Sequence, residues 1–310
     1  MNTTFRQLRY FVALADAGNF TLAAELANVT QPALSLQIKE LEANLGVKLV
    51  ERMPREIRLT RAGQDVLARA RVILTEVRDL EASARLRGGL SGSLTLGAIP
   101  TIAPYLLPHV LTRLRSADIS LELKVREAQT HRLVDALQKG EIDAAVIALP
   151  IDLHGLEVTE LFSDRFLLAG SKSRIASYTE TAPPNPTDLP SGSLLLLEDG
   201  HCLSDQTLAV CGLKGRRQAV DLSASSLSTL CGLVGQGFGL TLLPEMAVNA
   251  ESAAMPDMGV MRFPDPQPER TIALVRRKST DNDGWFSDLA DLIGEAGREL
   301  LKTACSRIAA

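Results

Sequence analysis

Three short amphipathic stretches, separated by tight turn signals, occupy the first 46 residues and leave few architectures open. Phe5, Leu8, Phe11, Val12 and Ala15 fall at helical spacing over 5–17, and Gly18-Asn19 ends that helix. Leu22 to Ala27 forms a second, short helix. Thr30 is a good cap for a third, with Pro32 in its first turn. That helix runs through Leu34, Ile38, Leu41 and Leu45, in steps of four, three and four, and stops at Gly46. Two short helices, a tight turn and a polar-faced third helix make the helix-turn-helix pattern. Val47 to Thr60 then alternates apolar and basic residues around Pro54, which suits a two-stranded wing.

Charge supports a nucleic-acid partner only once it is divided along the chain. The net charge is −4, but residues 1–90 hold 13 Lys/Arg against 10 Asp/Glu, so this part carries +3 and the remainder −7. Lys48, Arg52, Arg55, Arg58 and Arg61 crowd one short segment beside only Glu51 and Glu56. Local charge, not the total, governs counterion release from phosphates. A solvated helical face gives a similar pattern.

From about Arg61 to Leu86 the chain reads as one long helix. Val66, Ala70, Ile73, Val77, Leu80 and Ala84 form a heptad-like seam that wants a partner helix, most simply a second copy of the chain. Gly88-Gly89-Leu90-Ser91-Gly92 reads as a hinge. Beyond it, strand-like runs at Leu94–Ile99, Leu121–Arg126, Ala144–Leu149, Arg165–Gly170, Leu194–Glu198 and Thr271–Val275 alternate with helical stretches at Tyr105–Arg115, Arg132–Lys139, Ser226–Gly235 and Trp285–Leu301. This rhythm predicts an α/β fold with largely parallel sheets. At 310 residues, 45% hydrophobic, the chain has room for two or three domains. No apolar run approaches the ~18 residues that cross a bilayer, and Met1 to Arg9 lacks a signal-peptide core. The expectation is a cytoplasmic protein without membrane contact. The four histidines (His109, His131, His154, His201) show no metal-ligand spacing, so neither metal nor cofactor is expected.

Gln7 to Ala15, Phe20-Thr-Leu-Ala-Ala, Thr30-Gln-Pro-Ala-Leu-Ser35, Leu41 to Gly46, Glu51-Arg52 and Thr60-Arg-Ala-Gly63 resemble the DNA-binding domain of LysR-type transcriptional regulators. The resemblance implies a winged helix-turn-helix over 1–62 and a dimerising linker helix with its hinge over 63–90. It also implies an effector domain of two lobes like those of periplasmic binding proteins, 91–165 with 270–303 and 166–269. Homodimers or homotetramers on double-stranded promoter DNA, in contact with RNA polymerase, are the implied assembly. Thr30, Gln31, Pro32 and Ser35 would lie on the recognition helix, and Arg52 and Arg55 would reach phosphates or the minor groove. Pro32 serves equally well as a plain helix initiator. Leu36 departs from the arginine common in relatives, so a base contact there would be apolar, of the kind a thymine methyl offers.

Ala98 to Thr101, Pro104 to Pro108, Glu127 to His131, Leu197 to Leu203 and Arg270-Thr-Ile272 further resemble the OxyR-like, hydrogen-peroxide-sensing branch of that family. By that resemblance Cys202 is the attacking thiolate, and the Thr101 and Thr130 hydroxyls bind peroxide. Gly200, His201 and Asp205 complete the polar surroundings, and Arg270 favours the thiolate by its charge. Cys211, nine residues on, would condense with the sulfenic acid into a disulfide. Thr101 and Thr130 have a plainer reading as helix caps, and only the joint pattern raises them above it. Cys231, among Leu230, Leu233 and Val234, reads as buried and inert; Cys305 receives no role. Ser204 stands where the peroxide-sensing branch often carries arginine, and the missing cation would raise the thiol pKa. Three other readings compete: a LysR-type sensor of a small organic anion, a thiol peroxidase, and a solute-binding transport component. The chain is expected not to be an enzyme.

Overall fold

The computed structural model describes residues 3–53, 56–85, 93–117, 121–151, 154–181, 183–213, 224–278 and 284–308. The chain divides into two compact units, Met1–Ala84 and Arg85–Ala310.

In the first unit, α1 (Phe5–Ala17) begins with a reciprocal cap between Thr4 and Gln7 and ends at Gly18, where φ is 73°. Helix α2 (Phe20–Leu26) is capped by Asn19 and α3 (Gln31–Leu45) by Thr30. Phe11, Leu14, Leu34, Ile38 and Leu41 fill the core between them, each 1% exposed or less. Strands β1 (Val50–Arg52) and β2 (Ile57–Leu59) pair antiparallel as the wing. Helix α4 (Arg61–Arg85) follows. Its first turn presses on the wing so closely that a Cβ on Gly63 would lie 2.1 Å from the Leu49 carbonyl oxygen.

Helix α4 divides the predicted seam. Val66 and Ala70 pack on the domain core together with Leu67 and Leu74, whereas Ile73 and Leu80 are 42% and 70% exposed. One stripe of the helix serves its own domain and another is left facing water. The predicted glycine hinge at 88–92 lies outside the described residues.

The second unit opens with β3 (Ser93–Ala98), α5 (Ala103–Ala117), β4 (Glu122–Glu127), α6 (Thr130–Gln138) and β5 (Ala144–Ala148). A long β6 (Leu156–Ser171), α7 (Lys172–Thr181), α8 (Cys202–Val210) and α9 (Leu227–Gly235) follow. The chain closes with β7 (Thr241–Pro244), α10 (Val248–Ala254), β8 (Met258–Arg262), β9 (Glu269–Arg277) and α11 (Trp285–Ile308). Sheet order is β4-β3-β5-β9-β6-β7, with β8 also on β6.

The expectation of largely parallel sheets holds only for the first β-α-β-α-β run. Strand β3 is parallel to β4 and β5, but β9 returns from late in the chain and runs antiparallel between β5 and β6. Strand β6 pairs with β9 over its first part and with β7 and β8 over its second. The predicted strand at Leu194–Glu198 is reduced to two single bridges, Leu194 to Leu240 and Leu197 to Ala224. Leu194, Leu195 and Leu197 are buried there without forming a ladder.

Candidate functional site

The first turn of α3 presents the predicted DNA-reading residues. Thr30 Oγ1 accepts from the Ala33 amide at 3.4 Å, which fixes where the helix begins. Gln31 and Pro32 are exposed and Ser35 is half-buried. The preceding turn is held by Asn28 at φ 51°. On the wing, the Arg52 side chain and the whole of Arg55 lie outside the described residues. Lys48, counted among the basic cluster, is paired with buried Glu42 at 3.0 Å, and Arg58 lies 4.0 Å from Glu56. Part of the basic segment therefore serves the fold. Glu42 also accepts from the Leu49 and Val50 amides at 2.8 and 3.3 Å, tying α3 to the wing. Burial pushes the Glu42 carboxyl up, but the two amides and Lys48 outweigh it and hold the carboxyl below its ordinary value.

In the second unit, the starts of α5 and α8 meet one guanidinium, and the start of α6 lies beside that of α8. Arg270, on β9, is 2% exposed. Its Nη1 donates to Thr101 Oγ1 at 2.9 Å and its Nη2 to the Thr101 carbonyl at 3.2 Å, just before α5. Asp164 faces Arg270 across the β6–β9 ladder and accepts from its Nε at 3.0 Å. The other Asp164 oxygen accepts from the Met246 amide at 3.1 Å. A fully buried charge pair is thus hydrogen-bonded on both sides, which is the condition for tolerating it. Burial pushes the Asp164 carboxyl up, with the charge of Arg270 pulling against it.

Cys202 is the first residue of α8 and Thr130 the first of α6. The Thr130 hydroxyl is buried with no hydrogen bond of standard geometry, yet it lies close enough to the sulfur to favour the thiolate. Burial is the largest influence on Cys202 and pushes its thiol above the ordinary range. Arg270, Thr130 and the residue's own amide pull the other way, and Asp205 adds to the upward push. Attack on peroxide is favoured by a lowered thiol pKa. The site supplies the groups that lower it, and desolvation outweighs them in this state.

His201 caps α8 through its backbone alone; its imidazole is buried, and that burial lowers its pKa. Asp205 is exposed in the first turn of α8. Gly200 adopts φ +93°, and a Cβ there would lie 2.9 Å from Gln129 Oε1. Ser204 faces inward, 8% exposed, and donates to the Leu197 carbonyl at 2.8 Å. Cys211 follows the last residue of α8, is 3% exposed, and has its thiol pushed up to about 11 by burial. Nine helical rises set the two Cα atoms about 13 Å apart, whereas a disulfide needs no more than about 7 Å. Cys231 is buried in α9; the Cys305 side chain lies outside the described residues.

Three contributors escaped the sequence reading. Asp164 is an acidic residue in a strand until the register places it opposite Arg270. Gln129, at the start of α6, donates to the Asp199 carbonyl at 3.4 Å and lies against Gly200. Gln206 donates to the Leu149 carbonyl at 3.0 Å, anchoring α8 beside the end of β5. Among the described residues no group of three or more His, Cys, Asp or Glu is placed to hold a metal ion. None of their helices is long and apolar enough to cross a membrane.

Residues 5–64 match the model of the bacterial regulatory helix-turn-helix protein, lysR family, and residues 87–298 match that of the LysR substrate binding domain. The chain belongs to the LysR family of transcriptional regulators, a class that acts by binding DNA through its helix-turn-helix. It is 40% identical over 291 residues to the DNA-binding transcriptional dual regulator OxyR of Escherichia coli K12, covering 93% of this chain and 94% of that protein. It is 39% identical over 291 residues to the HTH-type transcriptional regulator EstR of Acinetobacter baylyi, covering 94% of this chain and 96% of that one. It is also similar to the solved structure of a hydrogen-peroxide-bound cysteine mutant of OxyR from Corynebacterium glutamicum, with a TM-score of 0.61, 34% identity, and coverage of 99% of this chain and 98% of that one.

Proposed function

We propose that this regulator senses hydrogen peroxide at Cys202 and converts the reaction into a change in promoter binding. The observation that carries the reading is the Cys202 sulfur at the start of α8, under the charge of Arg270 and beside the otherwise unpaired Thr130 hydroxyl. The likeness to OxyR and the chemistry of the site both support peroxide as the effector.

In the proposed reaction the Cys202 thiolate attacks one peroxide oxygen. The O–O bond breaks, the sulfur becomes a sulfenic acid, and the second oxygen leaves as hydroxide that takes up a proton as water. Thr130, and Thr101 held by Arg270, supply the hydroxyls that hold the peroxide; Arg270 stabilises the thiolate. The Cys211 thiol then attacks the sulfenic sulfur, forming the disulfide and releasing a second water. Because the two cysteines flank one helix, that bond requires α8 to unwind, a covalently biased switch.

The effector part is read as two lobes, 91–165 with 270–303 and 166–269, with β6 running from one into the other. The exposed Ile73 and Leu80 stripe on α4 supports pairing of two chains. A homodimer or homotetramer on double-stranded promoter DNA, contacting RNA polymerase in the cytoplasm, is the assembly this reading requires.

Mass spectrometry after brief treatment with equimolar peroxide tests the proposal. Linked peptides carrying Cys202 and Cys211, with two free thiols lost, are expected. No thiol loss would return the reading to a small-anion sensor. Sustained peroxide turnover with a thiol reductant would favour a peroxidase.

A further inference from the structure

Helix α3 buries Leu34, Ile38 and Leu41 and leaves Leu36 on its outer side, 55% exposed, one turn after exposed Pro32. Leu36 therefore contributes little to the domain core. Of the polar residues next along the helix, Gln37 and Glu40 are engaged within the protein: Gln37 Nε2 donates to Glu40 Oε2 at 2.7 Å, and Gln7 Nε2 donates to the same oxygen at 3.3 Å, while Lys39 is exposed. Outward, the first two turns of the helix offer Gln31, Pro32, Ala33 and Leu36, and Leu36 is the largest apolar group among them.

In a helix-turn-helix the second helix enters the major groove with its N-terminal residues over the base edges. A leucine has neither donor nor acceptor. The apolar feature on a major-groove edge is the 5-methyl group of thymine, whereas guanine presents two acceptors that a leucine would strip of water without replacing. We propose that Leu36 reads the 5-methyl group of one thymine in each half-site and selects T·A at that base pair. This rests on the assignment of α3 as the recognition helix.

The test uses the full-length reduced protein and duplexes it selects from a random-sequence pool. Each thymine of the selected half-site is replaced in turn by deoxyuridine, which removes only the methyl group. One replacement is expected to weaken wild-type binding about fourfold, the worth of one buried methyl-sized group, and to leave Leu36→Ala binding unchanged. Restoring a methyl at that position as 5-methylcytosine, in a C·G pair, should recover part of the loss for wild type only. Pool selection with Leu36→Arg is expected to move the preference at that same base pair to guanine. Far-ultraviolet circular dichroism should match wild type for both variants, because the side chain is outside the core. Deoxyuridine neutral at every position, or equally damaging to Leu36→Ala, would overturn the proposal while leaving DNA binding intact. Failure to retain any duplex would overturn the recognition-helix assignment and the proposal with it.

Discussion

Cys202 opens α8 and Cys211 stands immediately after its last residue, so the whole length of one helix separates the two thiols. A nine-residue helix is marginal on its own, since isolated helices need about 12–15 residues even in favourable sequences. Its stability comes from outside: Leu203 is buried, Ser204 is tied to Leu197, and Gln206 is tied to Leu149. Such an element can be folded in one redox state and undone in the other.

Oxidation of wild type should strip hydrogen-exchange protection from the amides of 204–211 while β6 and β9 keep theirs. Cys211→Ser treated with peroxide should retain that protection, with one oxygen added at Cys202. Mass-resolved hydrogen exchange reads both. A disulfide formed with α8 still protected would contradict the helix-melting step.

Alkylation of Cys202 by iodoacetamide should still be accelerating above pH 9, because burial holds its thiol above the ordinary range. Replacing Arg270 by methionine removes a contribution that favours the thiolate, so the rate at neutral pH should fall. The same variant leaves the Asp164 carboxylate buried without its cation, a loss of about 3–5 kcal/mol in stability. Arg270→Met with Asp164→Leu should recover part of the stability and none of the alkylation rate. Thermal denaturation and a pH–rate profile separate the two effects.

Glu42→Ala should cost the DNA-binding unit about 1–3 kcal/mol, because the Leu49 and Val50 amides lose a buried acceptor. The folded-state pKa of Glu42 is depressed, so its charge contributes stability above the unfolded carboxylate pKa. That contribution fades as pH falls through the folded value. The gap between wild type and Glu42→Ala should therefore narrow in acid, measured as the difference in denaturation midpoint from pH 7 downward.

Gly200→Ala meets two obstacles, the left-handed backbone and the Gln129 carboxamide. The backbone alone costs about 1–2 kcal/mol. Pairing it with Gln129→Ala should relieve the steric part only, leaving the double variant more stable than Gly200→Ala and less stable than Gln129→Ala. Chemical denaturation of the four proteins forms the cycle; equal stability of all four would remove the loop from the site's framework.

The helix-turn-helix was legible because its determinants are local. Thr30 caps three residues away, Gly18 and Gly46 stop their helices in place, and Leu34, Ile38 and Leu41 mark a face by spacing alone. The cysteine loop was legible through its motif, including Gly200, whose backbone only glycine adopts without strain. The sheet was not: a β-α-β rhythm gives no notice that β9 will insert between β5 and β6. Leu194–Glu198 looks like a strand because burial and strand propensity select the same side chains, and only available neighbours make a ladder.

The amino-acid sequence by itself determined the DNA-binding fold and the order of chemical groups, since caps, stripes and turns act within a few residues. Tertiary structure decided how those groups behave. Asp164 and Arg270 are 106 residues apart and meet only through strand register; Gln129 reaches Gly200 across 71 positions. Whether Cys202 is protonated depends on a balance of burial against Arg270, and both sides of that balance come from packing.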